Sequence, residues 1–365
     1  MVLRLAKLCR LLALAASVAT CYERSAAGQE RAEEITVEPV RFHHDDDMLA
    51  GVLFRPTGPG PHAGIVLVTG SGANDRTYGG VATMLGRYFA AHGLCCLSWD
   101  KPGVGASTGD FNQQTFHDRA AEVLAATRFL RQRAEVDGRR VGIWGHSQGG
   151  TVAPLAASLS DKAVSEDIAF LIVVAGWQGA AWRQDLVRVE QEMRAEGAAE
   201  REIDEAVQFA RQRMDFMRSG SPFEMLDAAQ EAAQSQPWFR YVQRCDRTLY
   251  GSACKMVNYD NSAAWERVKC PVLAIYGGKD VSSGPAEPLL AVIRHGLAKG
   301  GNEGLTHRIF PEARHDFCAT RIDREAGQAD ELPALEPGYL EAMSEWLSHV
   351  CPDPAVTPPP GSRAR

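Results

Sequence analysis

The sequence predicts an α/β fold with a mostly parallel central sheet flanked by helices. Two observations support this prediction. Short apolar runs of strand length recur along the chain, and most are followed by a segment with the apolar spacing of a helix. Several of these runs also end in glycine-rich or polar turns, as the carboxyl ends of parallel strands do. The 365 residues, 45% of them apolar, are enough to bury one large core.

The elements alternate regularly after an initial hairpin, Ile35–Arg41 and Leu49–Arg55. The hairpin turn, His43–Asp47, is rich in His and Asp, but a polar turn produces the same letters and no further metal ligands are apparent nearby. We therefore expect no metal and no other cofactor. The remaining core strands are predicted at Ile65–Val68, Leu94–Asp100, Arg139–Trp144, Ile168–Ala175, Val272–Tyr276 and His307–Phe310, and the core helices at Thr83–His92, Thr115–Arg133, Thr151–Ser158, Leu289–Leu297 and Tyr339–Val350.

The most informative motif is Gly145-His146-Ser147-Gln148-Gly149, which fits Gly-x-Ser-x-Gly. It stands between a predicted strand and a predicted helix, where glycines permit the strained turn that exposes a serine hydroxyl. The Gln148 amide would then lie at a helix N-terminus, where it can bind an oxyanion. Taken alone, the pentapeptide fits an ordinary strand-to-helix turn equally well.

A nucleophilic serine needs a base and a third group that orients this base. Asp280 follows one predicted strand and His315 the next, in the chain order Ser, Asp, His. Because the carboxyl ends of parallel strands meet at one edge, we expect these side chains to converge on Ser147. Two other carboxylates in the region keep the identity of the orienting residue open: Glu312 and Asp323.

Together these segments resemble the α/β-hydrolase superfamily over roughly residues 37–350. The loop Gly70–Arg76 is similar to the Gly-Ser-Gly-x-x-Asp-Arg loop of a secreted bacterial esterase-like subgroup, akin to dienelactone hydrolases and serine aminopeptidases. The resemblance implies an α/β-hydrolase fold with Ser147 as nucleophile, His315 as general base and acid, and Asp280 as the orienting residue. It also implies that the Ser71 amide is the second oxyanion donor, beside that of Gln148.

Two loop features in the first half of the chain have structural interpretations. Asp100–Asp110 follows the Asp-x-x-Gly-x-Gly-x-Ser pattern usual for the superfamily, and it lacks the Gly-Lys-Ser/Thr ending of a phosphate-binding loop. Asp100 is therefore expected to be structural. Asp75 and Arg76 could bind substrate, but an ion pair between them that braces the loop is the favoured interpretation.

Residues 180–265 differ in composition and show helical spacing, at the place where the superfamily inserts a cap over the active site. The predicted organisation is a core of residues 28–179 and 266–351 interrupted by this helical cap. Aromatic and methionine side chains here could line an acyl pocket. Trp177 and Trp182 are the candidate substrate-binding residues, and Cys245 with Cys254 is the candidate disulfide.

The two ends of the chain are predicted to lie outside the folded core. Residues 1–27 read as an export signal, because a basic start precedes the apolar stretch Leu11–Ala19, which is too short to span a bilayer. Cleavage after Ala27 is favoured, and lipid anchoring at Cys21 is the alternative. Residues 352–365, with five prolines, are predicted to be a disordered tail.

The predicted activity is hydrolysis of a carboxylic ester of a small or medium acyl substrate through an acyl-enzyme. Peptidase, thioesterase or acyltransferase chemistry on the same three residues are alternatives, as is a non-catalytic binding protein with this fold. A net charge of −7 without a basic stripe argues against a nucleic-acid partner. The expected partner is a small-molecule ester, and no stable membrane span is expected.

Overall fold

A computed structural model of the protein describes residues 35–159, 168–318 and 334–352. Eight strands form one sheet in the order β1-β2-β4-β3-β5-β6-β7-β8. β1 and β2 form the predicted hairpin, β2 pairs antiparallel with β4, and all later pairs are parallel. The strands are β1 (Ile35–His44), β2 (Asp47–Pro56), β3 (His62–Val68), β4 (Leu94–Trp99), β5 (Val136–His146), β6 (Ile168–Val174), β7 (Val272–Gly277) and β8 (Leu305–Phe310).

Helices cover both faces of the sheet, which confirms the predicted α/β fold. One face packs against α2 (Phe116–Arg131), α3 (Gln148–Ser158) and α9 (Ala286–Lys299), and the other against α1 (Val81–Ala91) and α10 (Tyr339–Val350). Strand alternation divides the side chains between these two cores. In β4, for example, Cys95 belongs to the first core and Cys96 to the second, as their adjacent positions predict.

A helical layer of the chain lies between β6 and β7, within the predicted cap. It has its own apolar cluster, which includes Val189 of α4, Ala206 of α5 and Leu226 of α6. The amphipathic spacing of these helices explains the cluster, because each buries one stripe and exposes its charged face. Its elements are α4 (Trp182–Ala195), α5 (Glu200–Ser219), α6 (Phe223–Ala233), a 3-10 turn (Pro237–Tyr241) and α7 (Arg247–Met256), and α8 (Ser262–Trp265) leads back to the sheet.

Several sequence predictions fall on residues that the structure does not describe. These are the export signal of residues 1–27 with Cys21, the alternative carboxylate Asp323, and the tail beyond Pro352. Within the described ranges, no helix combines the length and apolar character needed to cross a bilayer.

Candidate active site

Ser147 occupies a strained turn between β5 and α3. Its φ and ψ are 55° and −122°, outside the regions that side-chain-bearing residues usually adopt. The turn is held by a 2.9 Å hydrogen bond from the Ser147 amide to the Val174 carbonyl of β6. It also depends on Gly149, where a Cβ would lie 2.0 Å from the carbonyl oxygen of Val68. The predicted strand, turn and helix are therefore present, with the hydroxyl at the carboxyl edge of the sheet.

Asp280 and His315 reach the same edge from the loops after β7 and β8. His315 Nε2 lies 2.9 Å from Ser147 Oγ, and His315 Nδ1 lies 3.0 Å from Asp280 Oδ2. A carboxylate only accepts, so Nδ1 carries a hydrogen toward Asp280 and Nε2 is left to accept the serine proton. The structure thus brings the three sequence-predicted residues into one hydrogen-bonded chain.

The carboxylate of Asp280 is buried yet stabilised in its charged form. Only 1% of its side chain is exposed, and the amides of Ser282 and Ser283 donate to Oδ1 at 2.8 and 3.0 Å. Burial by itself would raise the pKa of Asp280, but hydrogen bonds and attraction from His315, with those from Ser283, hold the pKa below its usual value. The alternative carboxylate Glu312 is exposed and pairs with Lys279 instead.

The two predicted oxyanion donors flank the serine. Gln148 is the first residue of α3, so its amide has no acceptor within the helix. Ser71 follows Gly70 in the loop after β3, and a Cβ at Gly70 would lie 3.2 Å from Ser147 Cβ. The loop therefore approaches the serine closely, as the predicted role of the Ser71 and Gln148 amides requires.

Two buried cations, Lys101 and Arg119, hold this oxyanion loop. Lys101 Nζ donates to the carbonyl of Gly70 and, at 2.8 Å, to that of Gly72. Arg119 donates to the Thr69 carbonyl at 3.3 Å and to Gln148 Oε1 at 2.9 Å. Neither residue has a role that was predicted from the sequence. The position of Lys101, next to Asp100 at the end of a strand, could have indicated a role near the active site. Arg119 lies inside a helix, and no sequence feature there indicates such a role.

The surroundings of Lys101 are unusual for an ammonium group. Burial, followed by repulsion from Arg119, lowers the pKa of Lys101 well below its usual value, and Glu122 partly opposes this change. Glu122 is itself fully buried and accepts hydrogen bonds of 2.6 Å from both Trp99 Nε1 and Gln114 Nε2. Two basic side chains and one acidic side chain are therefore buried next to the loop that carries Ser71.

Arg76 braces the neighbouring loop through a partner other than the predicted one. Its guanidinium forms a bidentate pair with Asp100, at 2.5 and 3.0 Å. Asp75 instead accepts from the amides of Thr77 and Tyr78 and so stabilises the turn. The expected Asp75–Arg76 pair is wrong, because consecutive side chains diverge here. The structural role expected of Asp100 agrees with this pairing.

A cavity of about 310 Å³ lies between the cap and the core and reaches the candidate oxyanion residues. Ser71 and Gln148 form part of its wall, while apolar side chains from the cap helices form much of the remainder. Three charged side chains also line it. The apolar members are Phe111, Phe116, Ala181, Met214, Met217, Leu249, Ala253, Met256 and Val257, and the charged members are Arg119, Asp185 and Arg213.

Neither candidate substrate-binding tryptophan, Trp177 or Trp182, lines this cavity in the described part of the chain, so a role for them at this cavity is not supported. Trp177 is buried in the core, where its indole donates to the Ala180 carbonyl at 3.0 Å. Trp182 lies on the cap, where the guanidinium of Arg218 stacks 4.8 Å from its ring. Aromatic residues bury large areas wherever they pack, so their presence in the insertion did not specify which ones face a ligand.

The predicted Cys245–Cys254 disulfide is also corrected, because both residues are free thiols. Asp246 caps α7, and Cys254 stands about 12 Å further along the helix axis by helical rise. That separation exceeds the span of a disulfide, which requires Cα atoms within about 7 Å. The Cys245 thiol instead donates to the neighbouring Asp246 carbonyl at 3.5 Å.

No cluster of His, Cys, Asp or Glu among the described residues could hold a metal ion. The His- and Asp-rich segment 43–47 forms the end of the β1–β2 hairpin.

Comparison with known proteins agrees with this fold. The model of a family described as "Alpha/beta hydrolase family" matches residues 65–326, more than half of the chain. The chain belongs to the alpha/beta hydrolase family. The match extends from β3 through the sheet and the cap, so it covers Ser147, Asp280 and His315 of this hydrolase.

Two fungal polyketide transferases are similar to part of the hydrolase. It is 28% identical over 148 residues to the polyketide transferase grgF of a Penicillium species, covering 40% of the hydrolase and 48% of the relative. It is 29% identical over 131 residues to a polyketide transferase of Gibberella fujikuroi, covering 34% and 39%. The matched segments thus span less than half of either relative.

Solved structures share the fold of the hydrolase at low sequence identity. An esterase of Pyrococcus furiosus has a TM-score of 0.52 at 12% identity, covering 86% of the hydrolase and 91% of the esterase. The alpha/beta hydrolase GrgF of Penicillium sp. sh18 has a TM-score of 0.51 at 20% identity, covering 86% and 98%. A putative dienelactone hydrolase of Klebsiella pneumoniae has a TM-score of 0.51 at 13% identity, covering 87% and 98%.

Proposed function

We propose that the protein is a serine hydrolase that cleaves a carboxylic ester of a small or medium acyl substrate. The observation that carries this proposal is the hydrogen-bonded chain from Ser147 through His315 to Asp280. A strained serine at a sheet edge, a base within 2.9 Å and a buried orienting carboxylate are the parts that acyl transfer requires. The adjoining cavity of about 310 Å³ suits a compact acyl group.

In the proposed reaction, His315 Nε2 accepts the Ser147 proton as Oγ attacks the ester carbonyl. The Ser71 and Gln148 amides donate to the oxyanion, and His315 returns the proton to the leaving alcohol. Water then enters, loses a proton to the same imidazole and releases the acid from the acyl-enzyme. Asp280 remains ionised throughout and stabilises the imidazolium.

The proposal is tested with p-nitrophenyl esters of increasing acyl length and with a fluorophosphonate probe. Ser147→Ala is expected to lower turnover by about 10³-fold or more and to abolish labelling. Ser348→Ala on the exposed side of α10 is the matched control. Turnover by Ser147→Ala at the rate of the parent enzyme would contradict the assignment, and absence of labelling in folded parent protein would favour a non-catalytic binding protein.

Acyl transfer to an alcohol rather than to water is the second candidate. It is favoured by the name polyketide transferase that both curated relatives carry. The same acyl-enzyme serves both reactions, so the difference lies in which acceptor reaches it. Product analysis in the presence of a competing alcohol separates the two, because a transferase forms the new ester in excess over the free acid.

We further propose that the protein is exported, on the basis of the basic start and the short apolar stretch Leu11–Ala19. N-terminal sequencing of the protein recovered outside the cytoplasm would give Gly28 as the first residue. A lipid-modified Cys21 as first residue would identify the alternative, and an intact N-terminus would contradict export.

A further inference from the structure

Arg213 is an unusual residue to find on the wall of the acyl cavity. It lies on α5, on the face that also carries the buried residues Ala210, Met214 and Met217. Only 5% of its side chain is exposed, yet it lines the cavity together with the oxyanion residues Ser71 and Gln148. An always-charged group therefore lies among apolar neighbours, facing the space into which a substrate would extend.

Not every hydrogen-bond donor of the Arg213 guanidinium has an acceptor among the described residues. Its Nη1 donates to Asp185 Oδ2 at 3.3 Å, and the weakly accepting thiol of Cys245 lies beside it. Its Nε is buried and has no hydrogen-bond partner among the described residues. Asp185 makes its shorter contact, 2.7 Å, with Arg188. The guanidinium of Arg213 thus retains unused donor capacity.

Arg119, on the core side of the cavity, likewise has a buried Nε without a hydrogen-bond partner among the described residues, but both of its Nη atoms have acceptors. Arg119 donates to Gln148 and Thr69 and pairs with Glu122 at 3.7 Å, so it serves the oxyanion loop. Burying a guanidinium without a full set of acceptors is energetically unfavourable, and an apolar side chain would pack α5 against the other cap helices at lower cost. The position of Arg213 is therefore better explained by an acceptor that arrives with the substrate.

We propose that Arg213 binds a carboxylate on the acyl chain of the substrate, which makes a dicarboxylic half-ester the preferred substrate class. This inference rests on the proposed ester hydrolysis. A guanidinium matches a carboxylate in planarity and can donate two hydrogen bonds to it, and the burial of Arg213 beside apolar side chains strengthens both. The ester carbonyl would lie at the oxyanion amides on the core side, and the carboxylate at Arg213 on the cap side.

The test compares p-nitrophenyl half-esters of adipic acid with the isosteric terminal carboxamide and with p-nitrophenyl hexanoate. The parent enzyme is expected to show a kcat/KM about 10- to 100-fold higher for the carboxylate than for the carboxamide. In Arg213→Met this ratio should fall to about one. In Asp185→Asn it should rise, because Asp185 no longer competes for Arg213, while Arg188 keeps its 2.8 Å contact with Glu192.

Arg213→Lys is measured as well, because lysine keeps the positive charge but cannot donate two parallel hydrogen bonds to a carboxylate. It also gives the ratio of kcat/KM for carboxylate over carboxamide if Arg213→Met does not fold. Its ratio should lie between those of the parent and the methionine variant. Calorimetric binding of adipic acid mono-amide to Ser147→Ala, with and without Arg213→Met, tests the same contact without turnover. Loss of binding with Arg213→Met supports the inference.

Three outcomes would overturn the inference while leaving ester hydrolysis in place. These are parent activity that is equal on carboxylate and carboxamide, a carboxylate preference that survives in Arg213→Met and Arg213→Lys, or a lower melting temperature in the variants with an unchanged ratio. The last would show that Arg213 only braces the cap. If no ester at all is hydrolysed, the proposed function fails, and the calorimetric result alone decides the carboxylate site.

Discussion

His146 Nε2 lies 2.7 Å from the backbone carbonyl oxygen of His315. Because a carbonyl only accepts, this nitrogen carries the hydrogen, and the other ring nitrogen, Nδ1, accepts from the Tyr78 hydroxyl at 2.8 Å. The hydroxyl in turn accepts from the Gly70 amide at 3.2 Å. One imidazole thus connects the loop of the candidate base with the loop of the oxyanion donor.

His146→Phe is expected to lower kcat/KM by about 10- to 100-fold, because the His315 carbonyl loses its buried donor and the base loses its fixed position. Steady-state kinetics on a p-nitrophenyl ester measures the effect. Tyr78→Phe is the comparison, since it keeps the bond between His146 and His315 and should cost less. Full activity in His146→Phe would mean that the loop after β8 is held by its other contacts.

Lys101→Met is expected to lower kcat by about ten- to a hundredfold with little change in KM, because the carbonyls on either side of Ser71 lose a common donor. The loss should stay below the 10²- to 10³-fold caused by deleting an oxyanion donor outright, since Asn74 still bonds the Gly70 carbonyl. A trifluoromethyl ketone, which mimics the oxyanion, should lose affinity in parallel.

The matched control for Lys101 is Lys299→Met, which removes an exposed lysine paired with Glu266 on the surface. It should leave both kcat and the affinity for the ketone unchanged. If Lys101→Met changed only the melting temperature, the ammonium would stabilise the fold without positioning the donor.

Asp280→Asn should reduce kcat by about 10³- to 10⁴-fold, because the amide no longer fixes the tautomer of His315 or stabilises its cation. The free energy of unfolding gives a second test of Asp280 that does not depend on catalysis. The folded-state pKa of Asp280 is lowered, so its contribution is present above the unfolded value of about 3.9 and is lost as the pH falls through the folded value.

The difference in unfolding free energy between the parent protein and Asp280→Asn, measured with urea, should therefore shrink as the pH is lowered from 7 to below about 4. Glu312→Gln removes an exposed carboxylate and should show a much smaller difference at pH 7. A difference for Asp280→Asn that stays constant over this range would indicate that its carboxyl group does not titrate with folding.

Reducing agent should leave the melting temperature unchanged within about 1 °C, because Cys245, Cys254 and the other described cysteines are free thiols. A native disulfide typically contributes 2–5 kcal/mol, which would appear as a shift of several degrees. Thiol titration of the protein unfolded without reductant measures the same property. Two fewer reactive thiols than cysteines in the purified chain would show that a pair has oxidised.

The sheet and the three residues of the candidate triad were predictable because each depends on local sequence. Apolar runs define β5 and β7 as buried strands, and the short segment of β8 pairs with β7 as a half-exposed edge strand. The polar side chain after each strand must emerge at the same edge in a parallel sheet. The strained turn at Ser147 is encoded equally locally, since it needs small residues such as Gly149 within a few positions.

Side-chain partners from distant segments were not determined in this way. Arg76 pairs with Asp100 rather than with Asp75, and Lys101 and Arg119 reach the oxyanion loop from two different elements. No local pattern marks such contacts, because they depend on how loops and helices pack after the sheet has formed.

The sequence by itself determined the order of strands and helices, the nucleophile turn and the chain order Ser147, Asp280, His315. Only the tertiary structure decided which cap residues face the cavity, excluding Trp182 and revealing Arg213. The physical reason is that helical periodicity specifies a buried stripe but not its neighbour, and aromatic, methionine and arginine side chains on one stripe become core or cavity wall only through packing.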